Sequence, residues 1–249
     1  MTIGRAIILS AGKGSRLLPL TVDRPKCLID FSGRTLLGWQ LDALAASGVT
    51  EATVVTGFRS DLVEAEVAGR TGVTTLFNPF YQVADNLGSV WMARAAFDRD
   101  TLILNGDTLV SPALLARVLA GGGGWPVAVT VDEKADYDSD DMKVERDGER
   151  LVHIGKTLTP AETNAESIGC LAFRGEGRRL FTDAVEAMMR TPEGTASWYL
   201  RVIDRIAPTG KVGTVAITGE QWGEVDFPAD VDAARALTAG WLNSWAASS

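Results

Sequence analysis

The sequence predicts a doubly wound α/β fold, with a mostly parallel sheet and helices on both faces, and three observations carry that prediction. Short, continuously apolar runs at residues 6–9 and 102–104 have the composition of strands buried on both faces, not the alternation of a half-solvated sheet. Stretches with apolar residues at helical spacing separate the strand-like runs, as βαβ units require. Glycine-bearing loops, with Gly12 and Gly14 after the first run and Gly106 after the later one, stand at strand C-termini, where such folds bind ligands.

The elements follow in chain order. After the first strand, Leu37, Leu41 and Leu44 mark a helix capped by Thr35, and Gly48 ends it before a second strand at 52–56. A crossover helix is expected over 61–67 and a third strand over 72–77, stopped by Asn78 and Pro79. Residues 80–93 read as a loop and a helix, with Asn86 and Ser89 near the helix N-terminus, where capping is their ordinary role. The strand at 101–105 empties into Asn105-Gly106-Asp107, and 126–132 supplies another strand. Residues 142–145 and 151–154 flank Asp147-Gly148 as a hairpin, a small β insertion, and the acidic run 136–141 reads as a solvated loop. A strand over 166–173 follows, then helices marked by Phe181, Val185 and Met188 and by Tyr199, Val202 and Ile206, then a strand over 215–218. The last helix carries Ala234, Leu237, Trp241 and Trp245 on one face, a packing stripe and a candidate subunit contact for a homodimer.

Composition narrows the function. With 249 residues, 46% of them hydrophobic, the chain is expected to form one domain over residues 1–249, with the glycine run 121–124 as a loop inside it. A net charge of -8 argues against nucleic-acid binding, which needs clustered Lys and Arg; local cations can still serve one triphosphate. Cys27 and Cys170 lie far apart and His153 is the single histidine, which removes most zinc sites and points to a reduced, cytoplasmic protein. The N-terminal apolar run is too short for a signal-peptide core, and no segment reaches the ~20 apolar residues of a membrane span.

The loop after the first strand, Leu9, Ser10, Ala11, Gly12, Lys13, Gly14, Ser15 and Arg16, has the makings of a phosphate cradle. It is neither a Walker loop, for which the spacing fails, nor a dinucleotide-binding loop, since Leu17 stands where the third glycine belongs. A lone Gly-x-Gly is most often a tight turn. Here Lys13, Arg16 and Lys26, the last held by Pro25, collect within one loop length. Asp107 is compatible with an ordinary Gly-Asp turn and equally with a hard cation such as Mg²⁺ placed against its carboxylate.

Residues 9–17, with Pro19, Leu20 and Thr21 and with Arg24-Pro25-Lys26-Cys27-Leu28, closely resemble the signature of nucleotidyltransferases that join an NTP to a phosphorylated sugar or alcohol. The resemblance implies the nucleotide-diphospho-sugar transferase type of fold, with the nucleotide on residues 9–16, Lys13 and Arg16 on the triphosphate, and Lys26 near the reacting phosphates. It implies Mg²⁺ on Asp107 and on Asp226 of a closing Glu224-Val225-Asp226 motif. It also places Lys156, with Lys26 and Asp107, beside the acceptor phosphate. The stretch around Asn86 and Ser89 is similar to that of bacterial phosphocholine cytidylyltransferases, where sugar-1-phosphate enzymes usually show glycines. That similarity implies Asn86 and Ser89 at the nucleotide, CTP as donor, and a small phosphorylated or phosphonylated, phosphocholine-like alcohol as acceptor. The ammonium end of such an acceptor would face Glu166, Trp198, Tyr199 and the 136–141 loop, although a helical aromatic is as readily explained by packing. Alternatives are a sugar-1-phosphate uridylyl- or thymidylyltransferase on the same fold, a metal-dependent glycosyltransferase, and a non-catalytic nucleotide-binding regulatory module. The paired carboxylates speak against the module, and the first loop against the glycosyltransferase.

Overall fold

The computed structural model describes residues 3–122 and 124–246, with side chains as far as 242. Its strands begin with β1 (Arg5–Ser10), β2 (Asp30–Phe31), β3 (Arg34–Thr35), β4 (Glu51–Thr56), β5 (Val73–Phe77), β6 (Thr101–Asn105) and β7 (Thr108–Val110). They continue with β8 (Val127–Asp132), β9 (Lys143–Asp147), β10 (Arg150–Gly155), β11 (Ala165–Phe173), β12 (Val212–Ala216) and β13 (Trp222–Glu224). The helices are α1 (Leu36–Ala46), α2 (Ser60–Val67), α3 (Asn86–Met92), α4 (Pro112–Ala120), α5 (Glu176–Met189), α6 (Tyr199–Ile206) and α7 (Pro228–Ala246).

Nine strands form the central sheet in the order β5-β4-β1-β6-β11-β8-β12-β10-β9. β5, β4, β1 and β6 are parallel, as successive right-handed βαβ units require. β11 then enters antiparallel to both β6 and β8, which makes the sheet mixed at its centre, and β12 returns parallel to β8. The expected hairpin is β9 and β10. β10 pairs with β12, and β9 reaches back to the first residues of β11, so β11, β8, β12, β10 and β9 close into a ring.

Both faces of the sheet are covered, which explains the unbroken apolar character of β1. Ala6 and Ile8 pack with Leu37 of α1, Val63 of α2 and Leu114 of α4, whereas Ile7 packs with Leu87 of α3, Phe181 of α5 and Val202 of α6. Thr35 caps α1 by accepting from Gly38 N at 2.9 Å, as expected from its position before the leucine stripe. A third cluster joins Leu17, Phe31, Trp39, Leu109, Val225 and Trp241, with the Trp39 and Trp241 rings edge-on at 5.7 Å. Ala234 and Trp241 of the α7 stripe are therefore buried within their own chain, and the side chain of Trp245 lies outside the described residues. Gly123 of the glycine run also lies outside them. Among the described residues, no helix is long and apolar enough to cross a membrane.

Candidate active site

Three strand ends meet at one cleft, and close backbone packing brings them there. Gly106 N donates to Leu9 O at 3.1 Å, and a Cβ on Gly106 would stand 2.4 Å from that oxygen, so only glycine lets the Asn105-Gly106-Asp107 turn lie against the end of β1. Beneath the turn, the buried carboxamide of Gln40 donates to Asn105 O at 2.7 Å and Thr108 O at 2.8 Å. β13 pairs with β7, and Val225 N donates to Asp107 O at 3.1 Å, which sets Asp226 beside Asp107. Asp230 on α7 accepts from Asp226 N at 2.8 Å and from Phe227 N at 2.7 Å, holding that end of the motif.

In the first loop, Ser10 and Ala11 are buried, while Gly12, Lys13, Ser15 and Arg16 face solvent; Leu9 is half-buried. A Cβ on Gly12 would meet nothing within 4 Å, which leaves that backbone approachable. Gly14 has φ +74°, and a Cβ there would stand 2.7 Å from Lys26 Cβ. The Gly14→Ala variant therefore carries a left-handed penalty of about 1–2 kcal/mol and pushes against Lys26. It should lose thermal stability and NTP affinity together in a melt and a binding titration; unchanged NTP affinity would show that the loop does not hold nucleotide.

Lys26 is the hub of the cleft. Its Nζ donates to Asp107 Oδ2 at 2.8 Å and to Asp226 Oδ1 at 2.6 Å. Burial works against its charge, but Asp107 and Asp226 outweigh burial and hold the ammonium well above the ordinary lysine range. Glu224, which the sequence reading left out of the site, joins the two aspartates: one carboxylate oxygen from each of the three lies within 4.8 Å of the others. Although Glu224 reaches solvent through the cleft, the protein around it and then Asp107 and Asp226 push its carboxyl up to about 8.

Arg16 Nη1 lies 2.9 Å from Asp140 and 3.5 Å from Asp226, with its guanidinium over the Phe227 ring at 5.1 Å. Lys13 is placed differently, its ammonium over the Phe58 ring at 5.2 Å. Lys156 bonds Asp140 at 2.8 Å and stands 5.1 Å over the ring of Trp198, which is 40% exposed. A cavity of about 120 Å³ is lined by Asn105, Asp140, Asp141, Met142, Lys156, Glu166, Trp198, Glu224 and Asp226, among others.

Three expectations need correction. Ser89 is 4% exposed and its hydroxyl takes a hydrogen bond from Asn78, so it braces α3 from inside and offers nothing to a nucleotide. Tyr199 is fully buried and donates to Asn105 Oδ1 at 3.0 Å, which removes it from the acceptor wall. The acidic run is solvated at Asp136, Asp138 and Ser139 as expected, but Asp140 and Asp141 turn into the cleft. Asn86 is partly exposed, and its side-chain oxygen accepts from Tyr199 N at 2.9 Å, tying α3 to the start of α6; the cap of α3 itself is Asp85.

Glu166 is 6% exposed, and Lys134 bridges it to Asp141 at 2.9 and 2.8 Å. Burial, opposed by Lys134 and reinforced by Asp141, pushes the Glu166 carboxyl up to about 7. An unfolded glutamate releases its proton near 4.5, so the folded chain binds the extra proton between these values and loses stability as pH rises through them. Glu166→Gln removes that titration. The melting temperature of the variant minus that of the wild type should grow from about pH 5 to pH 8; a difference constant with pH would reject the protonated Glu166.

An α/β domain with glycine-bearing loops, cations and paired carboxylates at its strand ends is of the nucleotide-diphospho-sugar transferase type. The chain belongs to the MobA-like NTP transferase domain family, whose model matches residues 6–138. It is 31% identical over 238 residues to the CMP-5'-(3-aminopropyl)phosphonate synthase of Streptomyces rubellomurinus, an alignment covering 91% of this chain and 37% of that one. The chain thus spans little more than a third of the length of that relative. Among solved structures, the inositol-1-phosphate CTP transferase from T. maritima superposes with a TM-score of 0.79 at 20% identity, over 96% of both chains. The CTP:phosphocholine cytidylyltransferase from Streptococcus pneumoniae superposes equally well, at 0.79 and 17% identity, over 96% of this chain and 100% of that one. These two likenesses establish the fold.

Proposed function

We propose that this domain transfers CMP from CTP to a small phosphorylated or phosphonylated alcohol with release of pyrophosphate. The observation that carries the reading is the convergence of Lys26 and Arg16 with Asp107 and Asp226 in one cleft, from positions spread over the whole chain. Similarity to the Streptomyces CMP-5'-(3-aminopropyl)phosphonate synthase supports the choice of nucleotide and acceptor class.

In this reading an acceptor phosphate or phosphonate oxygen attacks the α-phosphorus, forming a new P–O bond while the bond to the β-phosphate oxygen breaks and pyrophosphate leaves. The attacking oxygen is already anionic, so no side chain serves as nucleophile. The protein aligns two anions and offsets their charge. Residues 9–16 hold the nucleotide, Lys13 and Arg16 hold the triphosphate, and Lys26 and Lys156 hold the incoming phosphate. Asp107 and Asp226, with Glu224 beside them, form an all-oxygen donor set suited to Mg²⁺, and the ammonium of Lys26 between the aspartates marks the place as one for a cation. Bound there, Mg²⁺ would neutralise phosphate charge.

Trp198, 40% exposed in the wall of the cavity, offers an aromatic face to a cationic end, with Glu166 and Asp141 behind it bridged by Lys134. This favours a phosphocholine-like or aminoalkylphosphonate acceptor over the runner-up, a sugar-1-phosphate uridylyl- or thymidylyltransferase. A reducing, cytoplasmic setting is part of the reading, with Cys27 and Cys170 buried as free thiols. Pyrophosphate release measured for CTP, UTP, dTTP and GTP against phosphocholine, 2-aminoethylphosphonate and glucose-1-phosphate tests it. Highest kcat/KM is expected with CTP and an amino-alcohol acceptor; preference for the hexose with UTP or dTTP would reject the acceptor while leaving the reaction type standing.

A further inference from the structure

A chain of alternating charge crosses the mouth of the cleft. Lys156 Nζ lies 2.8 Å from Asp140 Oδ1, and Arg16 Nη1 lies 2.9 Å from Asp140 Oδ2 and 3.5 Å from Asp226 Oδ2. Lys26 completes the series between Asp226 and Asp107. Five of these six groups have a use in the proposed reaction: three cations for phosphates and two carboxylates for a metal. Asp140 has none. Its carboxylate stands between the nucleotide-side Arg16 and the acceptor-side Lys156, where two phosphates must meet, and a carboxylate kept there would repel both.

The loop presents Asp140 by design of its own hydrogen bonds. Asp138 Oδ1 accepts from Asp140 N at 2.7 Å and from Asp141 N at 3.1 Å, and Asp138 N donates to Asp141 Oδ2 at 2.7 Å. The buried Lys143 ammonium bonds the carbonyl of Asp138, anchoring this turn to the start of β9. Lys156 beside Asp140 holds its carboxyl below the usual range, so Asp140 is an anion at neutral pH.

We infer that Asp140 is an internal rival of substrate phosphate: its carboxylate and a phosphate compete for Arg16 and Lys156, so phosphate binding displaces the Asp140 side chain from both cations while Lys134 and Lys143 keep the rest of the turn in place. The inference rests on the reading of Arg16 and Lys156 as phosphate partners. Two consequences follow. Anion affinity is the difference between the gain from phosphate and the loss of the Asp140 bridges, both charge-assisted. Because one carboxylate serves both cations, displacement by either phosphate frees the cation needed by the other, which couples the two substrates positively.

The test uses Asp140→Asn, which keeps shape and removes charge, with Asp183→Asn on the exposed face of α5 as a charge-matched control. Calorimetric titration with CTP and with inorganic pyrophosphate, both in the presence of Mg²⁺, should show binding to Asp140→Asn tighter than to wild type by on the order of 10-fold, the yield of removing two partly exposed ion pairs. The control should match wild type. Equal or weaker binding by Asp140→Asn overturns the inference and leaves the proposed function intact. Binding of neither CTP nor pyrophosphate by either protein overturns both.

Discussion

Replacing Asp107 or Asp226 by asparagine should lower turnover by about 10²- to 10³-fold while shifting the melting temperature by only a few degrees. Each change removes one anionic donor from the set of three carboxylates but leaves Lys26 one charged partner, at 2.6 Å in Asp107→Asn or 2.8 Å in Asp226→Asn. The β7–β13 ladder and the Gln40 side-chain hydrogen bonds to the carbonyls of the turn involve neither aspartate side chain and survive both changes. Chelation by EDTA should abolish activity and Mg²⁺ should restore it. Steady-state kinetics beside thermal melts measure the contrast; full activity in excess chelator, or a collapse of stability equal to the loss of rate, would remove the metal from the account.

Lys26→Met should act the other way round, on stability as strongly as on rate. Without the ammonium, Asp107, Glu224 and Asp226 keep oxygens within 4.8 Å of one another and have lost the cation bonded to two of them. Breaking a largely buried ion pair by removing one partner costs about 3–5 kcal/mol, and here one cation serves two carboxylates. Mg²⁺ supplies the missing charge, so it should restore much of the loss in the variant and stabilise the wild type less, because there it competes with Lys26. Urea unfolding of both proteins with and without Mg²⁺ reads this directly. A variant as stable as wild type without metal, or one indifferent to Mg²⁺, would show that the three carboxylates do not form a cation site.

Much of this was legible in the sequence because local chemistry encodes it. The continuous apolar character of β1 and β6 reports burial on both faces, Thr35 reports the start of α1, and Gly14 reports a tight turn. What the sequence hid depends on distance. Gln40 sits among apolar residues of α1 with no local sign that it buckles a turn 65 residues away. Glu224 follows the ordinary alternation of a short strand, and only the pairing with Thr108 sets it beside Asp107. Acidic runs are solvated by default, and the contacts that turn Asp140 into the cleft come from Arg16, 124 residues away, and from Lys156 beyond the hairpin. Ser89 and Tyr199 misled for a related reason: a polar side chain near a ligand loop looks available until a buried partner, Asn78 or Asn105, is found to hold it.

Isotope tracing tests the transfer of a nucleotidyl group to a phosphate oxygen most directly. The protein is mixed with CTP, Mg²⁺ and 2-aminoethylphosphonate or phosphocholine carrying ¹⁸O on phosphorus, and the products are resolved by mass spectrometry. A CMP-linked product that retains every acceptor label is expected, formed in equal amount with unlabelled pyrophosphate. Free CMP in place of the linked product, or pyrophosphate released at the same rate without acceptor, would contradict it.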